Sequence, residues 1–305
     1  MPAAVATPGR NVDSHNVTVG IVGTGRMGSA MATRLEQSGF DLVVWNRTSS
    51  KAGDLAADLG AKVAAHPGEV AETAEVVVCS LADDAAVRAT YGGADGLVSG
   101  VGARTVILEM STVDPTTVVE VGRQVDSAGG ALLDAPVSGS VQTATAGSLM
   151  IMVGGDEVAY RRATPVLDAL ASQVVHLGGQ GSGATMKLAV NALVYGINGA
   201  LAEALVLAER AGVDRAAAYD VFARGVGGAP YVGYKRASFV DPDATPVAST
   251  LDIVAKDLEL ISRLSARAGA PIPQTEATRA IVDRAIAAGL SGRDLSAVAE
   301  FLRDL

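Results

Sequence analysis

The stretch Val17-Thr18-Val19-Gly20-Ile21-Val22-Gly23-Thr24-Gly25-Arg26-Met27-Gly28 decides how this chain folds. Its first six residues form an uncharged, largely β-branched run, the composition of a strand buried on both faces. Met27, Met31 and Leu35 then recur at helical spacing as far as Gly39, which marks an amphipathic helix. Between strand and helix lies the pattern G-x-G-x-x-G. The pattern alone is weak, but a strand before it and a helix after it give it meaning. Gly23 permits the tight turn, Gly25 lets backbone N–H groups approach a pyrophosphate, and Gly28 lets the helix lie close to the strand. The helix N-terminus adds a partial positive charge that favours the anion. Thr24, Arg26 and Met27 share this turn and are expected at the ligand with the three glycines.

Outward from this turn, short apolar runs alternate with helical segments. Strands are predicted at Leu42–Trp45, Val76–Ser80, Thr105–Glu109, Ala131–Asp134, Leu149–Val153 and Gln173–Leu177. Strands separated by helices of 10–15 residues imply βαβ units and a mostly parallel sheet. After the glycine cluster Gly178–Gly183 no further strand is predicted. Helices are expected over Ala184–Arg210, Arg215–Arg224, Thr250–Ala268, Pro273–Ala288 and Leu295–Leu305. The expected fold is α/β: an N-terminal Rossmann-type doubly wound sheet over residues 17–178, then a long interdomain helix and an all-α domain over 179–305. Residues 1–16 are expected to be a loose tail. The helix from Ala184 is apolar nearly all round, which predicts burial on most sides and a homodimer or homotetramer. A second glycine pattern, Gly179–Ala184, lacks a returning strand and reads as an interdomain turn.

The composition agrees. The 305 residues suit two domains of about 150 each. With 49% hydrophobic residues and a net charge of −9, the chain can build large cores and is a poor candidate for non-specific nucleic-acid binding. The single cysteine, Cys79, excludes an intramolecular disulfide and reads as a buried strand residue. The amino terminus lacks the basic start and apolar run of a secretory signal. The longest uncharged apolar stretch, Leu188–Ala202, is interrupted by Asn191 and Asn198 and falls short of the ~20 residues of a membrane span. A soluble, cytoplasmic protein without a membrane partner is expected.

The end of the second strand predicts the dinucleotide. An acidic residue there commonly holds a free ribose 2′-OH. This chain has Asn46-Arg47-Thr48 instead. A carboxylate would repel a 2′-phosphate, whereas Arg47 offers a charged fork and Thr48 a hydroxyl. NADP(H) is therefore expected over NAD(H).

Together these motifs resemble the β-hydroxyacid dehydrogenase family, which includes 3-hydroxyisobutyrate dehydrogenase and the short glyoxylate and succinic semialdehyde reductases. Four segments carry the resemblance, which spans about 17–305. They are the glycine turn with Ser29-Ala30-Met31-Ala32, then Asp134-Ala135-Pro136-Val137-Ser138-Gly139-Ser140 continuing to Gly154-Gly155, then Gly183-x-x-x-Lys187-x-x-x-Asn191, and finally Lys256-Asp257-Leu258. The resemblance implies that Lys187 is the general acid/base. Four residues on, Asn191 shares its helix face and would bind substrate and orient the lysine. An ammonium can protonate the alkoxide left by hydride delivery, and neutral lysine can take the hydroxyl proton in the reverse direction. The apolar neighbours Met186, Leu188, Ala189 and Val190 would lower its pKa. Ser138, Gly139 and Ser140 resemble the loop that receives the substrate carboxylate; the family usually has glycine where Ser140 stands, so a side chain is added near the substrate. Thr112 resembles a residue near substrate and nicotinamide. Leu81 and Ala82 resemble the backbone beside adenosine, and Lys256 a lysine near the cofactor, while Asp257 reads as a cap or structural partner. Tyr231 and Tyr234 are expected to wall the substrate pocket. The site is expected in an interdomain cleft, with a small carboxylate or aldehyde as substrate.

Other chemistries lack their residues. His15, His66 and His176 show no ligand spacing, so no metal is expected. No G-x-S-x-G elbow surrounds a serine. The phosphogluconate dehydrogenases resemble the fold, but Val190 precedes Asn191 where they carry histidine. Two alternatives are an imine reductase on the same scaffold, against which Lys187 argues, and a non-catalytic dinucleotide-binding module, against which joint retention of the glycine turn and the lysine argues.

Overall fold

In a computed structural model describing residues 17–305, the opening run forms β1 (Thr18–Val22), central in a six-stranded parallel sheet. The other strands are β2 (Asp41–Trp45), β3 (Lys62–Val63), β4 (Val76–Cys79), β5 (Val106–Glu109) and β6 (Ala131–Asp134), in the order β3-β2-β1-β4-β5-β6. Chain direction across the sheet reverses between β1 and β4, which makes their carboxyl ends the switch point where such sheets bind ligands. The connecting helices are α1 (Arg26–Gln37), α2 (Ser49–Leu59), α3 (Pro67–Thr73), α4 (Asp84–Tyr91) and α5 (Pro115–Ser127). Gly20 lies inside β1 because a Cβ there would stand 2.4 Å from Val70 on α3. Cys79 is fully buried at the end of β4, as its apolar neighbours predict.

The two later predicted strands do not extend this sheet. After Pro136 the chain forms β7 (Val137–Ser138), α6 (Val141–Thr145), β8 (Leu149–Val153), α7 (Glu157–Leu170) and β9 (Ala171–His176). These strands make a separate sheet, β7-β8-β9, with β7 antiparallel to β8 and β8 parallel to β9. Asp134, the last residue of β6, and Gly154, just past β8, exchange antiparallel backbone hydrogen bonds that join the ends of the two sheets. The tail at 1–16, with His15, lies outside the described residues.

The chain divides into two units after Lys187, inside the 29-residue helix α8 (Ser182–Arg210). The second unit continues with α9 (Arg215–Arg224), α10 (Pro230–Tyr234), α11 (Arg236–Val240), α12 (Leu251–Ala268), α13 (Pro273–Ala285) and α14 (Val298–Arg303). Thr250, read from sequence as helical, is the N-cap of α12 and accepts from the Ile253 N–H. The apolar stretch Leu188–Ala202 lies inside a longer helix. Helix α8 continues past Lys187 at one end and Glu203 at the other, and its most apolar 18-residue window has a mean hydropathy of 1.5, enough to cross a membrane by length and composition. Leu188, Tyr195, Leu201, Ala202, Leu205 and Val206 of this helix build the core of the second unit. Within the chain, Leu193 and Leu207 of this helix are largely exposed.

Candidate active site

The glycine turn leaves β1 at its carboxyl end. Gly23 adopts φ +95°, and a Cβ there would meet the Ser80 carbonyl oxygen at 2.2 Å. A Cβ on Gly28 would stand 1.9 Å from the Gly23 carbonyl oxygen, so this glycine seats α1 on the strand. Gly25 differs: nothing lies within 4 Å of its would-be Cβ, and as N-cap of α1 it offers no capping side chain. The helix terminus therefore presents N–H groups towards open space, the requirement for an anionic ligand. Thr24 Oγ1 is buried without a hydrogen-bond partner. Such an orphaned hydroxyl beside an uncapped helix end fits a bound pyrophosphate.

Asn46, expected at the cofactor, braces the turn. Its Oδ1 accepts from the Thr24 N–H (3.2 Å) and its Nδ2 donates to the Thr48 carbonyl (3.1 Å). This fixes the end of β2, where Arg47 and Thr48 are exposed and Thr48 begins α2 without a side-chain cap. A third bond joins two further strand ends: the Leu81 N–H donates to Ser111 Oγ at 2.7 Å. Ser111 is thus a brace, and its neighbour Thr112 is half-buried beside it.

Two carboxyl groups that sequence reading did not single out lie beneath these loops. Glu109, the last residue of β5, is buried; it accepts from the Ser111 N–H (2.9 Å) and the Tyr91 hydroxyl (2.9 Å). Burial pushes its carboxyl up to about 7 against the opposing pull of those donors. Asp134, the last residue of β6, accepts from the Gly181 and Ala184 N–H groups, both at 2.8 Å. It thereby seats the amino terminus of α8. Gly183 and Gly154 make room, since a Cβ on either would stand within 3.0 Å of that carboxylate. A carboxylate closing an apolar strand is the signal that could have pointed to both.

Gly139 adopts φ +149°, and a Cβ there would strike Thr143 Oγ1, so only glycine fits. Ser140 does not present its hydroxyl freely: Oγ caps α6 by accepting from the Thr143 N–H, and Thr143 reciprocates on the Ser140 N–H. Ser138 is half-buried on β7. Lys187 is half-buried on α8 with Leu188 in the core, but its neighbours Met186 and Ala189 face solvent, so the apolar surround expected from sequence is only partial.

One turn further, in the second unit, Asn191 is buried and donates from Nδ2 to Asp257 Oδ2 at 2.8 Å. Tyr195 donates to the same oxygen at 2.6 Å. Lys256 Nζ stands 2.9 Å from Asp257 Oδ1, although outside hydrogen-bonding alignment. The structure thus brings Asn191, Lys256 and Asp257 together and adds Tyr195, which sequence reading missed; it lies four residues from Asn191 on the same helix face. Tyr231 does not take part in these Asp257 hydrogen bonds. It is buried and its hydroxyl donates to Asn198 Oδ1 at 2.7 Å, while Tyr234 packs edge-on against it and remains exposed. Among the described residues no cluster of His, Cys, Asp and Glu could hold a metal ion.

Residues 18–178 match a family model described as the NAD binding domain of 6-phosphogluconate dehydrogenase, and 181–302 one described as the NAD-binding region of NADP-dependent 3-hydroxyisobutyrate dehydrogenase. The chain is 33% identical over 297 residues to glyoxylate/succinic semialdehyde reductase 2, chloroplastic, of Arabidopsis thaliana, covering 97% of this chain and 82% of that protein. Mycobacterium tuberculosis 3-hydroxyisobutyrate dehydrogenase, solved with L-serine, is 32% identical with a TM-score of 0.83 over 94% of this chain and 99% of that one. A structure of Psf3 in complex with NADP+ and 2-OPP is 26% identical with a TM-score of 0.84, over 93% and 99%. Fold, glycine turn and relatives define an NAD(P)-dependent oxidoreductase. Within that class, the chain belongs to the β-hydroxyacid dehydrogenase family.

Proposed function

We propose that this protein uses NADP(H) to interconvert a small β-hydroxy acid and its semialdehyde or keto acid, with Lys187 as general acid/base. The observation that carries this reading is the bracing of one helix face: Asp134 holds the start of α8, and Asp257 holds Asn191 one turn beyond Lys187. When bound, the nicotinamide supplies or accepts the hydride. As the carbonyl oxygen gains charge, the Lys187 ammonium gives it a proton; in oxidation the neutral amine takes the hydroxyl proton. Ser138 and the backbone around Gly139 would receive the carboxylate, with Thr112 on the reacting side. The relative solved with L-serine, which carries a carboxylate and a β-hydroxyl, supports this substrate class. Lys187→Ala should lower kcat by a factor of about 10²–10⁴ while NADPH affinity changes little. Turnover within threefold or so of wild type in that variant would remove Lys187 from the chemistry.

The preference for NADP(H) rests on Arg47 and Thr48 at the uncapped start of α2, where a 2′-phosphate would meet both a guanidinium and N–H groups. The relative solved with NADP+ points the same way. In Arg47→Ala, KM for NADPH should rise about tenfold or more with that for NADH nearly unchanged. A wild-type enzyme that favours NADH would overturn the preference.

A further inference from the structure

Glu109, like Asp134, is buried with no ion-pair partner among the described residues, but of the two it is Glu109 that lies against a hydroxyl and a thiol able to pass a proton. The partners of β5 are β4 and β6, and the last residues of all three strands lie in register, with Glu109 between Cys79 and Asp134. Helix α4 contributes Tyr91, whose hydroxyl contacts both the Glu109 carboxylate and the Cys79 thiol. Glu109 shares its sheet face with Ile107, Cys79 and Tyr91, and on that face α5 buries only Pro115, Thr117, Val118, Val121, Gly122 and Val125. Burial drives the Cys79 thiol and the Tyr91 hydroxyl well up, so both stay neutral. Asp134 is pushed up by burial too, but the N–H bonds from Ala184 and Gly181 oppose the rise. Among the described residues no ion pair includes Glu109. The proton of the neutral acid has a place, since Tyr91 can accept it while turning its own hydrogen towards Cys79.

The position matters as much as the environment. A dinucleotide that sets its pyrophosphate on α1 and its adenosine ribose at the end of β2 must extend its nicotinamide over the ends of β4 and β5. Glu109 ends β5, and through Ser111 it holds the Leu81 backbone at the end of β4. The nicotinamide ring is a cation when oxidised and neutral when reduced. A carboxylate in a low-dielectric site close by favours the cation.

We propose that Glu109 is a proton-linked positioning residue: it releases its proton to solvent when the oxidised cofactor binds and retains it when the reduced cofactor binds. This rests on the dinucleotide reading above and adds a way for pH to set the preference between the two redox forms. By linkage, affinity for NADP+ rises relative to NADPH as pH rises through neutrality.

Titration calorimetry on the full chain with NADP+ and with NADPH, from about pH 6 to pH 8, reads this directly. The ratio of the two dissociation constants cancels the phosphates, which both forms share. In wild type, Kd(NADPH)/Kd(NADP+) should rise about three- to tenfold across that range. In Glu109→Gln, which keeps the shape and an acceptor for the Ser111 N–H, the ratio should be flat. Tyr91→Phe removes a donor to the carboxylate, so its inflection should move to higher pH. A flat ratio in wild type, or an unchanged slope in Glu109→Gln, overturns the proposal while leaving the dinucleotide reading intact. Failure of both nucleotides to bind at any pH would break that reading and this proposal together.

Discussion

Asp134 in the first unit and Asp294 in the second are both buried aspartates with both oxygens engaged, yet they depart from ordinary acidity in opposite directions. Asp134 accepts only neutral N–H groups, and burial leaves its carboxyl above the usual range. Burial pushes Asp294 up as well. The Lys235 ammonium, at 2.6 and 2.8 Å from its two oxygens, and the N–H groups of Ser296 and Ala248 outweigh that effect and leave it below the usual range. Burial is common to both, so the cation decides. The strand ends that face the ligand site thus hold their acids loosely in charge, whereas the helical unit locks its own. Replacing Lys235, itself 3% exposed, breaks the contrast most severely, because it leaves Asp294 buried and unpaired. Lys235→Ala should cost about 3–5 kcal/mol of stability, measured by urea unfolding near neutral pH. The loss should shrink as pH falls towards the depressed pKa of Asp294, because without the lysine the buried carboxyl takes up its proton at a higher pH than in wild type. A cost below about 1 kcal/mol would show that water reaches the pair.

The same comparison predicts opposite pH trends for the two units. Asp294, with its folded pKa depressed, contributes stability that is present above the unfolded value and lost in acid. Glu109 works the other way. Folded, it titrates at about 7, well above the ~4.3 of an unfolded chain, so between those values the folded state binds the extra proton. Stability therefore falls as pH rises through that window, by on the order of 3 kcal/mol. Glu109→Gln removes this dependence. Without cofactor, the variant should gain stability over wild type on going from about pH 5 to pH 8, read from unfolding midpoints. A constant difference at both values would mean that Glu109 keeps one ionisation state throughout.

Contacts near in sequence were legible; contacts distant in sequence were not. The run from Thr18 to Gln37 could be read directly, because strand, turn and helix each carry their own periodicity and the glycine spacing is local. Lys187 and Asn191 could be paired because one helix turn separates them. By contrast, Asp134 finds its donors 47 and 50 residues away at Gly181 and Ala184, and Asn191 finds Asp257 66 residues on. No periodicity encodes such separations. The split of β7, β8 and β9 into a second sheet escaped for the same reason: an apolar run specifies a strand but not its neighbours. Ser140 shows a subtler limit. Its sequence context marked an added side chain but did not show that its hydroxyl caps α6.

The smallest expected effect tests whether burial of the cation, and not merely its proximity, produces the locking seen at Asp294. Lys256 approaches Asp257 Oδ1 at 2.9 Å, almost as closely as Lys235 approaches Asp294, but its side chain is 29% exposed against 4% for Lys235. Asp257 Oδ2 also has two neutral donors, Asn191 and Tyr195, that remain when the lysine is removed. Solvent screens a half-open pair, so Lys256→Met should cost less than about 1 kcal/mol in urea unfolding. If Lys256 also serves the cofactor, as the family resemblance implies, the same variant should weaken NADPH binding several-fold despite that small cost. A loss of stability matching that of Lys235→Ala would show that Lys256 is as tightly locked as Lys235, and the distinction drawn from exposure would fail.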